Sequence, residues 1–306
     1  MAPNESRDVL HTAPLLFDYA RATGYHTAYW TSQNMMFGNV RLWVQNLGVG
    51  QFVHATMVNP ASDIDLGAPE GKFADYLIPK VETLEEPFFL TIQLSNGHYP
   101  YLVDETGPKP FQPSTTSKAP EDNAAFRNFY QNAVYQQDAH LARLLGALKK
   151  ASYGSRTIFV VTSDHGEAFR EHYQMGHTFS MFDEEVKVPA YVVAPPGTLT
   201  PEEEEELRKK KNVFRFHPDF DGDDPRSDGG VGRSRALGIP SATRRRESPA
   251  RERAYAHSPD DELCGGLVVC FRELGLHRRN EEARGARVGR ELSLLRFAQD
   301  PGEKKD

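Results

Sequence analysis

The stretch that decides the fold is Thr157-Ile158-Phe159-Val160-Val161-Thr162-Ser163-Asp164-His165-Gly166-Glu167. Its first part is a short apolar run rich in β-branched residues, which predicts a buried strand. In a parallel α/β sheet, ligands collect where the strands end. Asp164 and His165 stand at that point, and Asp and His supply oxygen and nitrogen ligands to divalent cations. The alternative is that Asp164 caps a turn beside an exposed histidine.

Strands and helices alternate on both sides of this stretch. Residues 25–30, 86–94 and 190–193 are short apolar runs that predict strands. Residues 13–23 predict a helix that ends at a glycine, and residues 121–150 predict one long amphipathic helix. The alternation indicates an α/β fold with a mostly parallel central sheet and flanking helices. The apolar face of the long helix consists of Phe126, Tyr130, Val134, Leu141, Leu145 and Leu148.

Composition excludes several classes of protein. The chain has 306 residues and a net charge of −7, so no overall positive field attracts nucleic acid. No run of about 18 apolar residues predicts a membrane span, and residues 1–25 show no secretory signal. The two cysteines, Cys264 and Cys270, are too few for a disulfide framework.

The composition changes near residue 212. Residues 1–212 contain 8 Arg and 10 Lys, whereas residues 213–306 contain 16 Arg and 2 Lys. The later part has little apolar periodicity apart from the runs at 267–269 and 292–297. It is therefore predicted to be a largely disordered Arg-rich tail behind a domain at 1–212.

Several short motifs come after the opening stretch in a fixed order. They are Glu171-His172, Gly176-His177, the acidic turn Asp183-Glu184-Glu185 with Val188-Pro189, and a closing strand. This order resembles the sulfatase family, within the alkaline phosphatase-like superfamily. The loop Ser95-Asn96-Gly97-His98-Tyr99-Pro100-Tyr101 resembles the histidine loop of the same family. The resemblance covers about residues 10–200.

The resemblance implies a divalent metal site and a pair of histidines beside it. Asp164 and His165 match the metal ligands, and Ca²⁺ or Mn²⁺ is expected, with Zn²⁺ or Mg²⁺ as further options. His98 and His177 match positions that contact the anion or protonate the leaving oxygen. Alone, His98 would be interpreted as a surface loop residue. For Glu167 and the Glu171-His172 pair, anchoring of the loop is the favoured role.

The resemblance also predicts what the chain lacks. The family's first strand supplies metal-binding aspartates and is followed by the nucleophile, and the short stretch before Ala13 leaves no room for either. Ser6 and Thr12 are not assigned as nucleophiles. A missing first strand would leave a neighbouring strand with unpaired backbone groups. Exposed loop residues are the favoured interpretation of Asp63 and Asp65.

The end of the chain suggests a further hypothesis about residues 213–306. Residues 300–303, Asp-Pro-Gly-Glu, resemble the end of many sulfatases, although family character is lost after about residue 216. A shifted reading frame in the coding sequence would produce such an Arg-rich middle.

The family implies a metal-dependent sulfuric ester hydrolase, with turnover impaired by the missing nucleophile segment. The substrate would be a sulfate or phosphate ester of a small molecule, a glycan or a lipid headgroup. One alternative is a relative of phosphoethanolamine or phosphoglycerol transferases, or of phosphatases and phosphodiesterases. Another is an inactive fragment or a binding module. Family members are often extracytoplasmic, and the sequence does not indicate an oligomeric state.

Overall fold

The computed structural model describes residues 15–44, 47–177 and 180–209, together with the backbone of residues 267–272. Short 3₁₀ turns connect several of its elements. The helices are α1 (Leu16–Ala22), α2 (Val40–Val44), α3 (Ala55–Val58), α4 (Glu70–Leu77), α5 (Asn123–Lys150), α6 (Asp183–Val186) and α7 (Pro201–Lys209). The strands are β1 (His26–Thr31), β2 (Gln51–Val53), β3 (Phe88–Gln93), β4 (Thr157–Thr162), β5 (Ala168–Phe169), β6 (Met175–Gly176), β7 (Ala190–Val193) and β8 (Leu267–Arg272).

Six strands form the central sheet in the order β2-β1-β3-β8-β4-β7. β1 is parallel to β2 and to β3. β8 is antiparallel to both β3 and β4, so β3 and β4 run in the same direction. β7 pairs with β4 in the antiparallel sense. Four of the six strands therefore share one direction, which confirms the predicted mostly parallel α/β sheet.

Side chains on both faces of the sheet are buried. Strand residues alternate between faces, so Phe88, Leu90 and Ile92 of β3 pack in the larger core with α4 and α5, whereas Phe89 packs on the other face against Phe17 of α1. The predicted helix at 121–150 is confirmed as α5, which begins after a 3₁₀ turn at Pro120–Asp122. Most of its predicted apolar face is buried: Phe126, Tyr130, Leu141 and Leu148.

The central position of the sheet is taken by a segment from the predicted tail. Leu267–Arg272 forms β8, and its backbone pairs with β3 on one side and β4 on the other. These six residues therefore belong to the sheet, and they supply backbone partners to both β3 and β4. Apart from them, residues 213–306 lie outside the described part of the chain, so the tail prediction remains a prediction there. Among the described residues, no helix is both long and apolar enough to cross a membrane.

Candidate active site

Two parallel strands, one on each side of β8, deliver the candidate residues to one edge of the sheet. β3 ends at Gln93, and the next loop carries His98. β4 ends at Thr162 and leads into Asp164 and His165. The small β5–β6 hairpin then brings the chain back to His177, because Ala168 pairs with Gly176.

The structure brings three of the predicted residues into one cluster of imidazole rings. The ring centroids of His165 and His177 are 3.9 Å apart, and the rings are stacked. The ring of His98 lies edge-on to both, 5.3 Å from His177 and 6.5 Å from His165. His165 and His177 follow His98 by 67 and 79 positions in the sequence, and the three residues converge in space. This is expected for loops at one edge of a sheet.

Each ring is anchored through its Nδ1 atom. Nδ1 of His98 lies 2.7 Å from the carbonyl oxygen of Tyr99, and Nδ1 of His165 lies 2.8 Å from that of Gly166. Carbonyl oxygens only accept, so both Nδ1 atoms carry the proton and both Nε2 atoms keep a lone pair when the ring is neutral. Nδ1 of His177 faces Oε1 of Glu167 at 3.4 Å, a distance at which a protonated ring donates to the carboxylate.

The two histidines expected to contact the anion have pKa values shifted in opposite directions. Burial lowers the pKa of His98, and the neighbouring His177 lowers it further despite the hydrogen bond to Tyr99. The hydrogen bond to Glu167 raises the pKa of His177 against the effect of burial. Near neutral pH, His98 is therefore the neutral ring and His177 the one that more readily holds a proton.

Asp164 and His165 provide one oxygen and one nitrogen for a cation. Oδ2 of Asp164 is 3.8 Å from Nε2 of His165, and the Asp164 side chain is 60% exposed. Its other oxygen accepts the backbone N–H of His165 at 3.1 Å, so one carboxylate oxygen remains toward solvent. A carboxylate next to an Nε2 lone pair fits a divalent cation as part of a ligand set. Within the described ranges, no group of three or more His, Cys, Asp or Glu side chains forms a complete metal site.

Close backbone packing explains the glycine of the Asp-His-Gly motif. The N–H of Gly166 donates to the carbonyl oxygen of Glu185 at 2.9 Å. A Cβ atom at this position would lie 2.2 Å from the carbonyl oxygen of Glu184, closer than atoms can approach. The acidic turn is therefore packed directly against the site. His172 is bound to the same turn through Glu184 at 2.7 Å and is half exposed, consistent with its predicted anchoring role.

Glu167 contributes to the site, and Tyr29 lies close enough to Asp164 for that carboxylate to affect its pKa, although the sequence assigned them a minor role or none. Glu167 was expected to anchor the loop, yet its fully buried carboxylate contacts His177 directly. Tyr29 on β1 donates a hydrogen bond to Gln93, at the end of β3. Burial raises the pKa of Tyr29 to about 12, so its hydroxyl stays protonated. The position of Glu167 directly after His165-Gly166 was the signal in the sequence that could have revealed it. Tyr29 is an aromatic residue within a strand, and the sequence offered no signal for it.

The remaining candidates stay apart from the cluster. Asp63 and Asp65 are exposed, and Oδ1 of Asp63 accepts the backbone N–H groups of Asp65 and Leu66. Their interpretation as loop residues agrees with this geometry. Ser6 and Thr12 lie outside the described residues.

Fold and site together define an α/β protein with a histidine-rich polar site at the carboxyl edge of its sheet. The sulfatase family model matches residues 2–220, more than half of the chain. The chain belongs to the sulfatase family.

Individual relatives match smaller parts of the chain. Lipoteichoic acid synthase 1 of Bacillus subtilis (strain 168) is 22% identical over 170 residues, 55% of this chain and 25% of that protein. Arylsulfatase K of Mus musculus is 38% identical over 69 residues, 22% of this chain and 12% of that protein. The chain thus spans a quarter or less of the length of these curated relatives. Among solved structures, an alkaline phosphatase superfamily protein from Vibrio parahaemolyticus aligns with a TM-score of 0.43 and 23% identity, over 59% of this chain and 41% of that one.

Proposed function

We propose that the chain binds sulfate esters at a metal-dependent site made of Asp164, His165, His98 and His177, and hydrolyses them slowly. The observation that supports this most is the convergence of three imidazoles, all within 6.5 Å of one another between ring centroids, beside an exposed carboxylate. A sulfate ester carries one negative charge and a leaving oxygen. It therefore requires a cation on one side and a proton donor on the other.

Asp164 and His165 would hold the metal. When bound, a divalent cation supplies positive charge that polarises the ester and stabilises developing negative charge. Asp164 contributes the charged oxygen, and the hydrogen bond from Nδ1 of His165 to Gly166 orients its Nε2 atom as a ligand. A backbone carbonyl in this position fixes both the tautomer and the ring orientation.

His177 is the better placed proton donor. Hydrolysis breaks the bond between sulfur and the leaving oxygen, water supplies the new hydroxyl, and the leaving oxygen takes up a proton. The carboxylate of Glu167 favours the protonated form of His177, which can deliver that proton. The neutral ring of His98 presents a lone pair at Nε2, which suits acceptance of a proton or contact with a cation; it can contact the anion itself only when protonated.

Slow turnover is expected from the nature of the nucleophile. We propose that water is the attacking group, and a reaction without a covalent intermediate is not divided into two easier steps. A phosphate ester is the second candidate substrate, for hydrolysis or for transfer. It is favoured by the length of the match to lipoteichoic acid synthase 1, 170 residues.

Binding and turnover of the purified full chain test the proposal. With Mn²⁺ or Ca²⁺ present, we expect binding of inorganic sulfate by calorimetry and slow hydrolysis of 4-nitrophenyl sulfate. Asp164→Ala should remove both, whereas Asp63→Ala, which removes an exposed carboxylate outside the cluster, should change neither. Equal binding by the Asp164→Ala variant and the unmodified chain would contradict the proposal.

The other outcomes separate the alternatives. Preference for 4-nitrophenyl phosphate would favour a phosphate ester as the substrate. Sulfate binding without any turnover would favour a binding module. Fast turnover that depends on Asp164 would overturn the expected impairment and require a nucleophile within the chain.

A further inference from the structure

A buried carboxylate lies outside the histidine cluster, at the start of α4. Glu70 is 2% exposed. Its Oε1 atom accepts the backbone N–H of Asn96 at 2.9 Å, and Oδ1 of Asn96 accepts the backbone N–H of Glu70, also at 2.9 Å. The two residues are 26 positions apart in the sequence. This reciprocal pair of hydrogen bonds fastens the first turn of α4 to the loop after β3.

Further buried hydrogen bonds extend this contact. The side-chain amide of Asn96 donates to the carbonyl oxygens of Leu66 and Ala68, at 3.1 Å and 3.0 Å. The backbone N–H of Ser95 donates to Oγ of Ser32 at 2.8 Å. We call the side chains of Ser32, Glu70, Ser95 and Asn96 the buried polar network; each is at most 4% exposed. The network joins the loops after β1 and β3 to the beginning of α4.

The network lies immediately before His98. The backbone N–H of His98 donates to the carbonyl oxygen of Ser95 at 3.0 Å, and that of Leu102 donates to the carbonyl oxygen of Asn96 at 3.0 Å. The turn that carries His98 is therefore built on two residues of the network. The ring of His98 also contacts the ring of Phe37, with 5.0 Å between the ring centroids.

We propose that Glu70 is a positioning residue for His98 and acts through the backbone amide of Asn96. Burial removes this carboxyl group from water at a cost, and its hydrogen bond to the Asn96 amide offsets part of that cost. That hydrogen bond fixes the Asn96 backbone, two residues before His98. The inference rests on the proposed function only for what His98 does; the placement of His98 is measurable without turnover.

Nuclear magnetic resonance of the full chain tests this placement through two signals. One is the nuclear Overhauser effect between the rings of His98 and Phe37, and the other is hydrogen exchange at the Asn96 amide. Glu70→Ala should abolish the first and accelerate the second at least tenfold. Glu70→Gln should restore both, because its amide oxygen can accept the same N–H group.

A matched control separates positioning from general destabilisation. Asn132 is 0% exposed and bridges the backbone N–H and carbonyl of Phe111, far from His98 in the sequence. Asn132→Ala should lower the thermal midpoint and leave both signals unchanged. The proposal is overturned if Glu70→Ala lowers the midpoint likewise but keeps the ring contact and the slow exchange.

A second variant covers the case in which Glu70→Ala does not fold. Glu70→Asp keeps the carboxyl group but is one methylene shorter, so it cannot reach Asn96 in the same geometry. Loss of the His98–Phe37 signal in this variant, with retention in Glu70→Gln, supports positioning; retention in both overturns it. A failure of the proposed function appears instead as absent metal and sulfate binding, while the two signals persist.

Discussion

The loops after β3 and β4 carry the site, and they are held in different ways. We call residues 94–102 the β3 loop and residues 163–177 the β4 loop. The β3 loop is fixed by neutral and buried contacts: Asn96 is 4% exposed in the polar network, and the ring of Tyr101 is 4% exposed in an aromatic core. The β4 loop places Phe169 in the same core, but the carboxylates of Glu167, Glu171 and Glu184 hold much of its remainder, and it exposes 60% of the Asp164 side chain and 96% of Tyr173.

The two loops therefore have different roles in the site. The β3 loop provides one imidazole, His98, in a position that the core determines. The β4 loop provides the ligands Asp164 and His165, which remain open to solvent on one side and can take up an ion. A site that binds a charged ligand needs both, because solvated groups bind the ion and rigid groups fix the orientation of the ester.

The largest expected difference concerns the aromatic rings of the two loops. Tyr101 contacts Phe126, Tyr130 and Phe169. Tyr101→Ala should therefore lower the free energy of unfolding by about 3–5 kcal/mol, as is typical for a buried aromatic ring. Tyr173→Ala in the β4 loop should change it by no more than about 0.5 kcal/mol. Urea denaturation measures both, and equal losses would remove the contrast between the loops.

The buried carboxyl behind the β3 loop should make stability depend on pH. Burial raises the pKa of Glu70 to about 7 from an ordinary value of 4.5. Below about pH 4.5 the group is neutral in both states and its contribution is fully present. Between about pH 4.5 and 7 the unfolded chain ionises first, so stability falls as pH rises, by up to about 3 kcal/mol.

The variant Glu70→Gln isolates this contribution. Its free energy of unfolding should fall less than that of the unmodified chain between pH 5 and pH 8. Denaturant unfolding at several pH values measures the two slopes. Parallel pH profiles for the two proteins would show that Glu70 does not titrate in this range.

Backbone packing beneath the β4 loop is tested at Gly166. A Cβ atom there would collide with the carbonyl oxygen of Glu184 at 2.2 Å. We expect Gly166→Ala to cost about 1–3 kcal/mol, as overpacking does. Gly146 in α5 is the matched control, since a Cβ atom there meets nothing within 4 Å. Gly146→Ala should stabilise the helix by about 0.5–1 kcal/mol, and a similar loss in both variants would contradict the close approach at Gly166.

The smallest expected effect is an electrostatic change in the pKa of one ring, that of His177. The Glu167 carboxylate raises the pKa of His177, so Glu167→Gln should lower that pKa. The protonated fraction of His177 near neutral pH falls accordingly, and sulfate binding should be lost at a lower pH than in the unmodified chain. Titration of the histidine ring resonances measures the shift. His26 is the first residue of β1, at the end of the strand opposite the site, and it serves as the internal control. An unchanged pKa of His177 in the variant would contradict its contact with Glu167.

The sequence predicted the elements that local pattern encodes. The apolar run before Asp164 became β4, and the periodic stretch at 121–150 became α5. The convergence of His98, His165 and His177 was predictable because loops after parallel strands share one edge.

Contacts between distant segments were not predictable in the same way. Glu70 looks like an ordinary helix-start carboxylate in the sequence, and only its partner Asn96, 26 residues later, reveals its role. The placement of Leu267–Arg272 between β3 and β4 likewise depends on pairing across more than 100 residues, in a region where composition indicated a tail.

Cation binding by Asp164 and His165, next to His98 and His177, is the claim on which the proposed function depends most. Addition of Mn²⁺, whose unpaired electrons broaden nearby resonances, tests this claim in the full chain through the histidine ring signals. We predict that the signals of His165, His98 and His177 broaden before that of His26, and that Asp164→Ala removes this selectivity. Uniform broadening of all histidines, or the same selective pattern in the variant, would contradict the claim.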